Sequence, residues 1–248
     1  MDIFFFLNRR LRFIESLYKE STATFVETKR KIEAQEEPFI DHSDPADFDG
    51  TPSFFEEWQH ADDCIVSLGR WSVLQLSAAV KAYLQEYVSD MSNYYGHHYP
   101  EFGAHQKTLE KCRGSWLQKY KCLFLDLFQI DWEKGPDLVR GIEHLVLTRN
   151  DIEHKSSLVT RYVRQDPQHR EKHLNGFFVG EEEFLWDRSS ALLVIENDRL
   201  QAAIDHVEKF CAWLETIRVH YLRFRRYPNY DEFLAIGTKS EEAEDSVS

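Results

Sequence analysis

The chain has 248 residues, of which 42% are hydrophobic and 14% aromatic, so it is long enough and apolar enough to bury a core. Its formal net charge of −13 argues against a protein that coats nucleic acid nonspecifically, because phosphate binding requires a positive surface. An enzyme with a local basic cleft is still compatible with this charge.

Cysteine usage and the N-terminal apolar run bear on the cellular compartment. The four cysteines have no C-x-x-C spacing and are predicted to be reduced thiols that fill the core, without a zinc site: Cys64, Cys112, Cys122 and Cys211. The apolar run over residues 3–7 is too short for a signal-peptide core or a membrane span. We therefore predict a cytoplasmic protein that does not interact with a membrane.

Apolar residues at helical spacing predict a first long helix over residues 3–35, uninterrupted by glycine or proline. Its first turns carry Phe4, Phe5 and Phe6, which are predicted to pack in the core rather than to form a docking patch for a partner. Residues 36–53 are rich in proline and carboxylates and are predicted to be a solvated acidic loop.

A broad apolar face predicts a second, central helix over residues 54–92, in which Gly69 permits the close approach of another helix. The periodicity breaks over residues 93–106. His97, His98 and His105 are candidate metal ligands there, but adjacent histidines point apart on any regular element, so ordinary loop packing is the simpler interpretation. The acidic loop matches no calcium-binding spacing, and we predict no metal site.

A third helix is predicted over residues 105–131, with one apolar side and one positively charged side. The charged side carries Lys107, Lys111, Arg113, Lys119 and Lys121. A solvated face and a track for a phosphate backbone both explain this pattern, and the sequence does not choose between them.

The next predicted helix, over residues 136–156, carries the motif on which the functional interpretation rests. Pro136 marks its first turn, where a missing N–H has no cost. Apolar residues then recur along one face, at Leu138, Ile142, Leu145 and Ile152. Arg149 occupies the remaining place in this row, where the pattern calls for an apolar residue.

Three side chains near the end of this helix have the chemistry of phosphodiester cleavage. Arg149 presents a fork of donors suited to phosphate. Asn150 and His154 are four residues apart and share a neighbouring face, and a histidine can accept or deliver a proton near neutral pH. One arginine and one histidine form half of a cleavage site, and a two-fold dimer would supply two of each.

The motif Arg149-Asn150-x-x-x-His154, late in a helical domain, resembles the signature of the HEPN superfamily. Members are helical bundles that dimerise with the motif helices facing, and many are metal-independent endoribonucleases of toxin–antitoxin, abortive-infection and CRISPR-linked systems. The resemblance implies that Arg149 and His154 are catalytic, that Asn150 supports them, and that no cofactor is needed. A subgroup carries a modifiable tyrosine two residues after the histidine. Ser156 stands there in this chain, which argues against that control.

A basic segment follows the motif helix, where the backbone of an RNA substrate would need neutralising. Its predicted RNA-binding residues are Lys155, Arg161, Arg164, Arg170 and Lys172. Within a basic loop over residues 160–197, the apolar segments 177–179 and 192–195 are predicted to pair as a small β-hairpin. A last helix is predicted over residues 198–225, and residues 237–248 form an acidic tail predicted to be disordered.

The sequence thus predicts an all-α protein with a single domain over residues 1–236, an up-down bundle of four to five helices with a β-hairpin insertion. The predicted activity is metal-independent endoribonuclease cleavage of RNA, in a homodimer formed through the motif helix, with an antitoxin or a defence complex as a further partner. One alternative is a non-catalytic module that binds RNA, a nucleotide or a protein. Another is a structural role, in which Arg149 forms a buried ion pair between helices.

Overall fold

The computed structural model describes residues 2–41, 52–95, 105–128, 130–132, 137–155, 162–164, 177–178, 190–193 and 195–224. These ranges contain the helices α1 (Ile3–Glu33), α2 (Phe55–Tyr95), α3 (His105–Lys111), α4 (Trp116–Phe128), α5 (Leu138–Lys155) and α6 (Asn197–Phe224). They also contain the short strands β1 (Tyr162–Arg164) and β2 (Ser190–Leu192). The described part is mostly helical, which confirms the predicted all-α class.

The helix α1 begins at an N-cap, where the side chain of Asp2 accepts a hydrogen bond from the backbone N–H of Phe5 at 2.9 Å. Its buried face repeats every three or four residues: Ile3, Leu7, Leu11, Ile14, Tyr18 and Thr22. Phe5 and Phe6 lie off this face and are 57% and 53% exposed, so the prediction that they pack in the core is wrong. Phe4 is partly buried against the core.

The helix α2 runs antiparallel to α1. Arg10, early in α1, donates a hydrogen bond to Gln75, whereas Lys29, late in α1, pairs with Asp62 near the start of α2. The predicted limits of both helices are confirmed to within three residues, because long uninterrupted apolar periodicity is the strongest local signal for a helix.

Buried tyrosine hydroxyls connect these two helices to α6. Tyr18 donates to the carbonyl of Ile195 at 2.8 Å, just before α6 begins, and Tyr83 donates to the Glu215 carboxylate at 2.8 Å. Gly69 of α2 faces the same junction, since a Cβ atom there would lie 2.9 Å from the Ile195 side chain. The close approach predicted for Gly69 is therefore made by the segment that leads into α6.

The single helix predicted over residues 105–131 is wrong, because the structure has two helices, α3 and α4, with residues 112–115 between them. Gly114 in this break has a φ of +103°, a conformation that other residues rarely adopt. The break brings Cys112 and Cys122 to a Cα–Cα distance of 6.3 Å, and they form a disulfide. Their predicted reduced state is wrong, whereas Cys64 and Cys211 are free thiols.

The predicted β-hairpin between segments 177–179 and 192–195 is not supported. The strand β1 pairs antiparallel with β2 instead, with Tyr162 opposite Leu192 and Arg164 opposite Ser190. Phe177 and Phe178 lie in a turn, and the Phe178 side chain is fully buried. In a strand, Phe177 and Phe178 would point to opposite faces of the sheet. The turn instead lets Phe178 bury its ring in the core while Phe177 packs against the core from outside.

Several predictions concern residues outside the described ranges. They include most of the acidic loop, His97, His98 and the C-terminal tail, whereas His105 is the first residue of α3. No helix in the described part of the chain is both long and apolar enough to cross a membrane.

Candidate functional site

The helix α5 carries the predicted motif and runs from Leu138 to Lys155, within two residues of the predicted limits. Buried side chains cover most of its circumference: Val139, Ile142, His144, Leu145, Val146, Thr148, Asp151 and Ile152. One accessible stripe has residues three or four positions apart: Glu143, Leu147, Asn150 and His154. Arg149 and Glu153, on another side of the last turns, are also partly accessible. All three predicted catalytic residues are therefore at least partly accessible at the end of α5, with Asn150 and His154 on the same stripe.

Three of the buried side chains in α5 are polar, and they form a row on the side of the helix next to the accessible stripe. His144 is 8% exposed, Thr148 is 1% exposed and Asp151 is 2% exposed. Their spacing of four and three residues places them on one side of the helix. Sequence reasoning missed this row, because the apolar pattern alone defined the expected buried face.

Arg149 lies in the apolar row, as predicted, but its side chain is 30% exposed. Its Nη1 donates to Oδ1 of Asn150 at 2.8 Å, and its Nη2 lies 2.6 Å from Oε2 of Glu153. Both partners belong to α5 itself, whereas the structural hypothesis requires a partner on another helix. The contacts made within the described part of the chain therefore do not support an interhelical ion pair.

Glu153 connects the arginine to the histidine. The same Oε2 atom that pairs with Arg149 lies 3.7 Å from Nε2 of His154. The His154 side chain is 70% exposed, and Glu153 is partly exposed. Sequence reasoning missed Glu153, although its position four residues after Arg149 is the spacing at which opposite charges pair on a helix.

The start of α5 is held by α6. The ring of His206 lies directly over Gly141, and a Cβ atom at Gly141 would overlap it. Its Nε2 lies 2.7 Å from the carbonyl oxygen of Leu138, which can only accept, so Nε2 carries the proton. Burial lowers the pKa of His206 from the ordinary value of 6.5.

The positively charged side predicted for residues 105–131 has fewer exposed cations in the structure than predicted. Lys107, Lys111 and Arg113 are exposed, but Lys121 is 8% exposed and pairs with Glu143 of α5. This ion pair holds α4 against the motif helix, so Lys121 is not available to a phosphate backbone.

Little of the predicted RNA-binding segment lies within the described ranges. Lys155 is the last residue of α5, and Arg164 is the last residue of β1. Arg161, Arg170 and Lys172 lie outside the described residues. The RNA-binding role of this segment therefore stays a prediction. The structure places only its first residue, Lys155, directly after His154 on the motif helix.

Comparison of the chain with known protein families, curated proteins and solved structures finds no match. Within the described ranges, no group of three or more His, Cys, Asp or Glu side chains is placed to hold a metal ion. The candidate site in the described part of the chain consists of Arg149, Asn150, Glu153 and His154.

Proposed function

We propose that this protein is a metal-independent endoribonuclease of the HEPN type, with Arg149 and His154 as its catalytic residues and Asn150 in support. The observation that carries the proposal is the continuous chain of contacts at the accessible end of α5, from Asn150 through Arg149 and Glu153 to His154. This cluster places a donor fork for phosphate beside an exposed proton-transfer group.

The proposed reaction is attack of a ribose 2′-oxygen on the adjacent phosphorus. The bond between phosphorus and the 5′-oxygen breaks, which leaves a 2′,3′-cyclic phosphate and a 5′-hydroxyl. His154 takes the proton from the 2′-hydroxyl or delivers one to the leaving 5′-oxygen. The two His154 residues of a dimer divide these tasks, and Arg149 stabilises the charge that develops on the phosphate. DNA lacks the attacking hydroxyl and should not be cleaved.

Glu153 has a defined part in this proposal. In the free protein its carboxylate occupies the donor fork of Arg149, so a substrate phosphate must displace or share it. Its carboxylate lies 3.7 Å from Nε2 of His154, within ion-pair distance, so it can stabilise the charge of the protonated ring after proton transfer. Glu153 is thus a positioning residue for His154 and a competitor that keeps Arg149 occupied until RNA arrives.

The proposal includes the assembly that the resemblance implies. The helices form an up-down bundle of four to five helices, and two copies pair through the C-terminal end of α5, which brings two Arg149–His154 pairs together. The basic segment from Lys155 to Lys172 binds the RNA backbone. A toxin or antiviral role in the cytoplasm, with an antitoxin or defence-complex partner, follows from the same resemblance.

The test is cleavage of single-stranded RNA in the presence of EDTA by the wild type, His154→Ala and a matched histidine control. His60→Ala is the control, because His60 is an exposed histidine on α2, outside the motif helix. We expect His154→Ala to lower the cleavage rate by about 10²–10⁴-fold, the usual contribution of a general acid or base. His60→Ala should cleave like the wild type, and a fully 2′-deoxy substrate should stay intact.

Equal cleavage by the wild type and His154→Ala would contradict the proposal, as would cleavage of the 2′-deoxy substrate. Loss of cleavage in EDTA that added Mg²⁺ restores would contradict metal independence. End-group analysis adds a separate check, since products with 3′-hydroxyl ends would require a different reaction.

The second candidate is a non-catalytic module that binds RNA, a nucleotide or a protein through the accessible stripe of α5. This module would need only the accessible Asn150 and His154 side chains, because Glu153 already occupies the donor fork of Arg149. In this case His154→Ala weakens binding in a fluorescence anisotropy assay, and neither protein cleaves RNA at any concentration tested.

A further inference from the structure

A pocket of about 500 Å³ lies where the end of α1 meets the start of α2. Four aromatic side chains line it: Phe39, Phe54, Phe55 and Trp58. All four keep part of their surface accessible, and Phe55 is 44% exposed, so core packing does not use up these rings. The volume lies within the range of pockets that hold small ligands.

The backbone at the start of α2 holds two of these rings in place. Phe54 has a φ of +61°, a strained conformation for a bulky residue. Its carbonyl accepts a hydrogen bond from the backbone N–H of Trp58 at 3.0 Å, so both rings belong to the same turn. The rings of Phe54 and Phe39 are 5.3 Å apart between centroids and meet at 78°, like two walls of a corner. Backbone strain of this kind is common at ligand sites.

The charged side chains that line the pocket are both acidic. They are Glu33 and Asp41, and no Lys, Arg or His is among the described residues that line it. Neutral donors contact both carboxylates. Nε1 of Trp58 donates to Glu33 at 2.8 Å, and the hydroxyl of Ser53 donates to Asp41 at 2.7 Å. These hydrogen bonds orient the carboxylates without adding a positive charge.

The sequence that forms the pocket has the same sign of charge over a long stretch. Residues 33–69 contain eleven Asp and Glu residues and no Lys or Arg. Charges of one sign around a cleft raise the local concentration of ligands with the opposite charge. The ligand of this pocket is therefore expected to be a cation.

Trp58 already contacts one cation of the protein itself. Nζ of Lys29 lies 4.3 Å from the centroid of the Trp58 ring and pairs with Asp62. Lys29 does not line the pocket, so this contact leaves the part of the Trp58 ring inside the pocket accessible. The contact also shows that this ring attracts a positive charge, as the electron-rich face of an indole does.

Aromatic walls favour one kind of organic cation. A primary ammonium or a guanidinium has several N–H donors, each of which needs an acceptor when water is excluded. A quaternary ammonium has no N–H group, and its methyl groups pack directly against aromatic faces while nearby carboxylates balance its charge. Aromatic cages recognise choline and methylated lysine in this way.

We propose that this pocket binds a quaternary ammonium group, with Phe39, Phe54 and Trp58 as its walls and Glu33 and Asp41 as its counter-charges. The group belongs either to a free small molecule of the choline type or to a methylated lysine of a partner protein, and its chemistry is the same in both. None of the described lining residues belongs to α5, so this inference does not rest on the ribonuclease proposal.

The test is isothermal titration calorimetry of the full chain with four probes. They are choline, the neutral alcohol in which carbon replaces the choline nitrogen, a peptide with trimethyllysine and the same peptide with unmodified lysine. At least one quaternary probe should bind about tenfold or more tightly than its counterpart, because attraction to rings and carboxylates requires the charge without N–H donors. Tighter binding of choline would identify a small-molecule site, and tighter binding of the methylated peptide would identify a protein partner.

Variants of the pocket locate the binding site. Trp58→Ala should weaken binding by about tenfold or more, whereas Trp58→Phe keeps an aromatic wall and should retain most of the affinity. Glu33→Gln should weaken binding by about threefold to tenfold, because the amide oxygen still accepts from Trp58 and only the charge is lost. Circular dichroism shows whether each variant is folded, and the exposed Glu33 tests the site even if Trp58→Ala unfolds.

Trp71→Ala and Glu86→Gln are the matched controls, since both residues are exposed on α2 and neither lines this pocket. Both variants should bind like the wild type. Equal binding of choline and its neutral analogue, together with equal binding of the two peptides, would overturn the proposal. Absence of binding by both quaternary probes at about 10 mM, above the range of weak specific ligands, would also overturn it. Unchanged binding by folded Glu33→Gln and Trp58→Ala would place the ligand elsewhere and count equally against it.

Discussion

The two ends of α5 are held in different ways. At its start, His206 of α6 lies over Gly141 and donates to the Leu138 carbonyl, and two residues after Gly141, Lys121 of α4 pairs with Glu143. At its end, the described contacts of Arg149 are with neighbours on the same helix. Both ends have buried side chains, but the charged Glu143 near the start is held by another helix, whereas the charged Arg149 near the end is held by pairs within α5, which hold it less firmly.

A second arginine makes this difference measurable. Arg218 of α6 is 18% exposed and pairs with Asp90 of α2 at 3.0 Å and with Glu215 at 2.7 Å, so it connects two helices. Arg149 is 30% exposed and pairs along one helix only. Although both residues are partly buried arginines, Arg218 should contribute mainly to stability and Arg149 mainly to function.

Of the variants that compare these two arginines, Arg149→Ala should have the largest effect, a loss of RNA cleavage under the proposed function. Loss of a charged group that stabilises the transition state should lower the rate by about 10²–10³-fold. The free energy of unfolding should fall by less than about 1 kcal/mol, because a partly exposed ion pair within one helix contributes only a few tenths of a kcal/mol. Cleavage assays and urea unfolding of the same preparation measure both quantities. A large loss of stability would show that Arg149 is structural.

Arg218→Ala should have the opposite profile. Its removal leaves Asp90 and Glu215 without their cation, and we expect the free energy of unfolding to fall by about 2 kcal/mol, less than for a fully buried pair. Urea unfolding followed by tryptophan fluorescence gives this value. The cleavage rate of the folded fraction should stay at the wild-type level, and a stability equal to that of Arg149→Ala would remove the distinction between the two arginines.

The smallest effect is expected from protonation of His206 at the start of α5. Because burial lowers the pKa of His206 in the folded protein, the unfolded chain binds the proton more readily. The stabilisation is complete above the ordinary value of 6.5 and decreases as the pH falls below it towards the lower pKa of the folded state. Lys209 and Asp137 also act on this ring, in opposite directions.

Unfolding measurements at pH 7.5 and pH 5.5 on the wild type and His206→Gln test this prediction. The wild type should lose more stability than the variant between the two pH values. Equal losses would show that protonation of His206 does not contribute to the pH dependence of the free energy of unfolding.

The limits of the long helices were predictable because they depend on sequence features that lie within a few residues of each other. Apolar periodicity, the absence of glycine and proline, and the proline before α5 are all read within a few residues. The same reasoning failed at the break between α3 and α4, where Gly114 has a positive φ and a disulfide joins residues ten positions apart. A disulfide and a reversal of the chain depend on distance in space, which periodicity does not encode.

The candidate site was predictable in part. The sequence placed Arg149, Asn150 and His154 on one helix, since spacing along a helix determines which side chains are neighbours. It did not identify Glu153, which occupies the fork of Arg149, or the buried polar row behind the motif. For Lys121, the sequence could not separate an exposed charge from one buried in an ion pair, because burial depends on how α4 packs against α5.

For this protein, the sequence alone determined the helical class, the long helices and the position of the motif, because hydrogen bonding and side-chain spacing within a helix are local. Only the tertiary structure decided which face of α5 remains accessible and that Phe5 and Phe6 lie outside the core. It also decided which of two similar arginines connects two helices. These properties depend on which surfaces the other helices cover, and those helices are distant in the sequence.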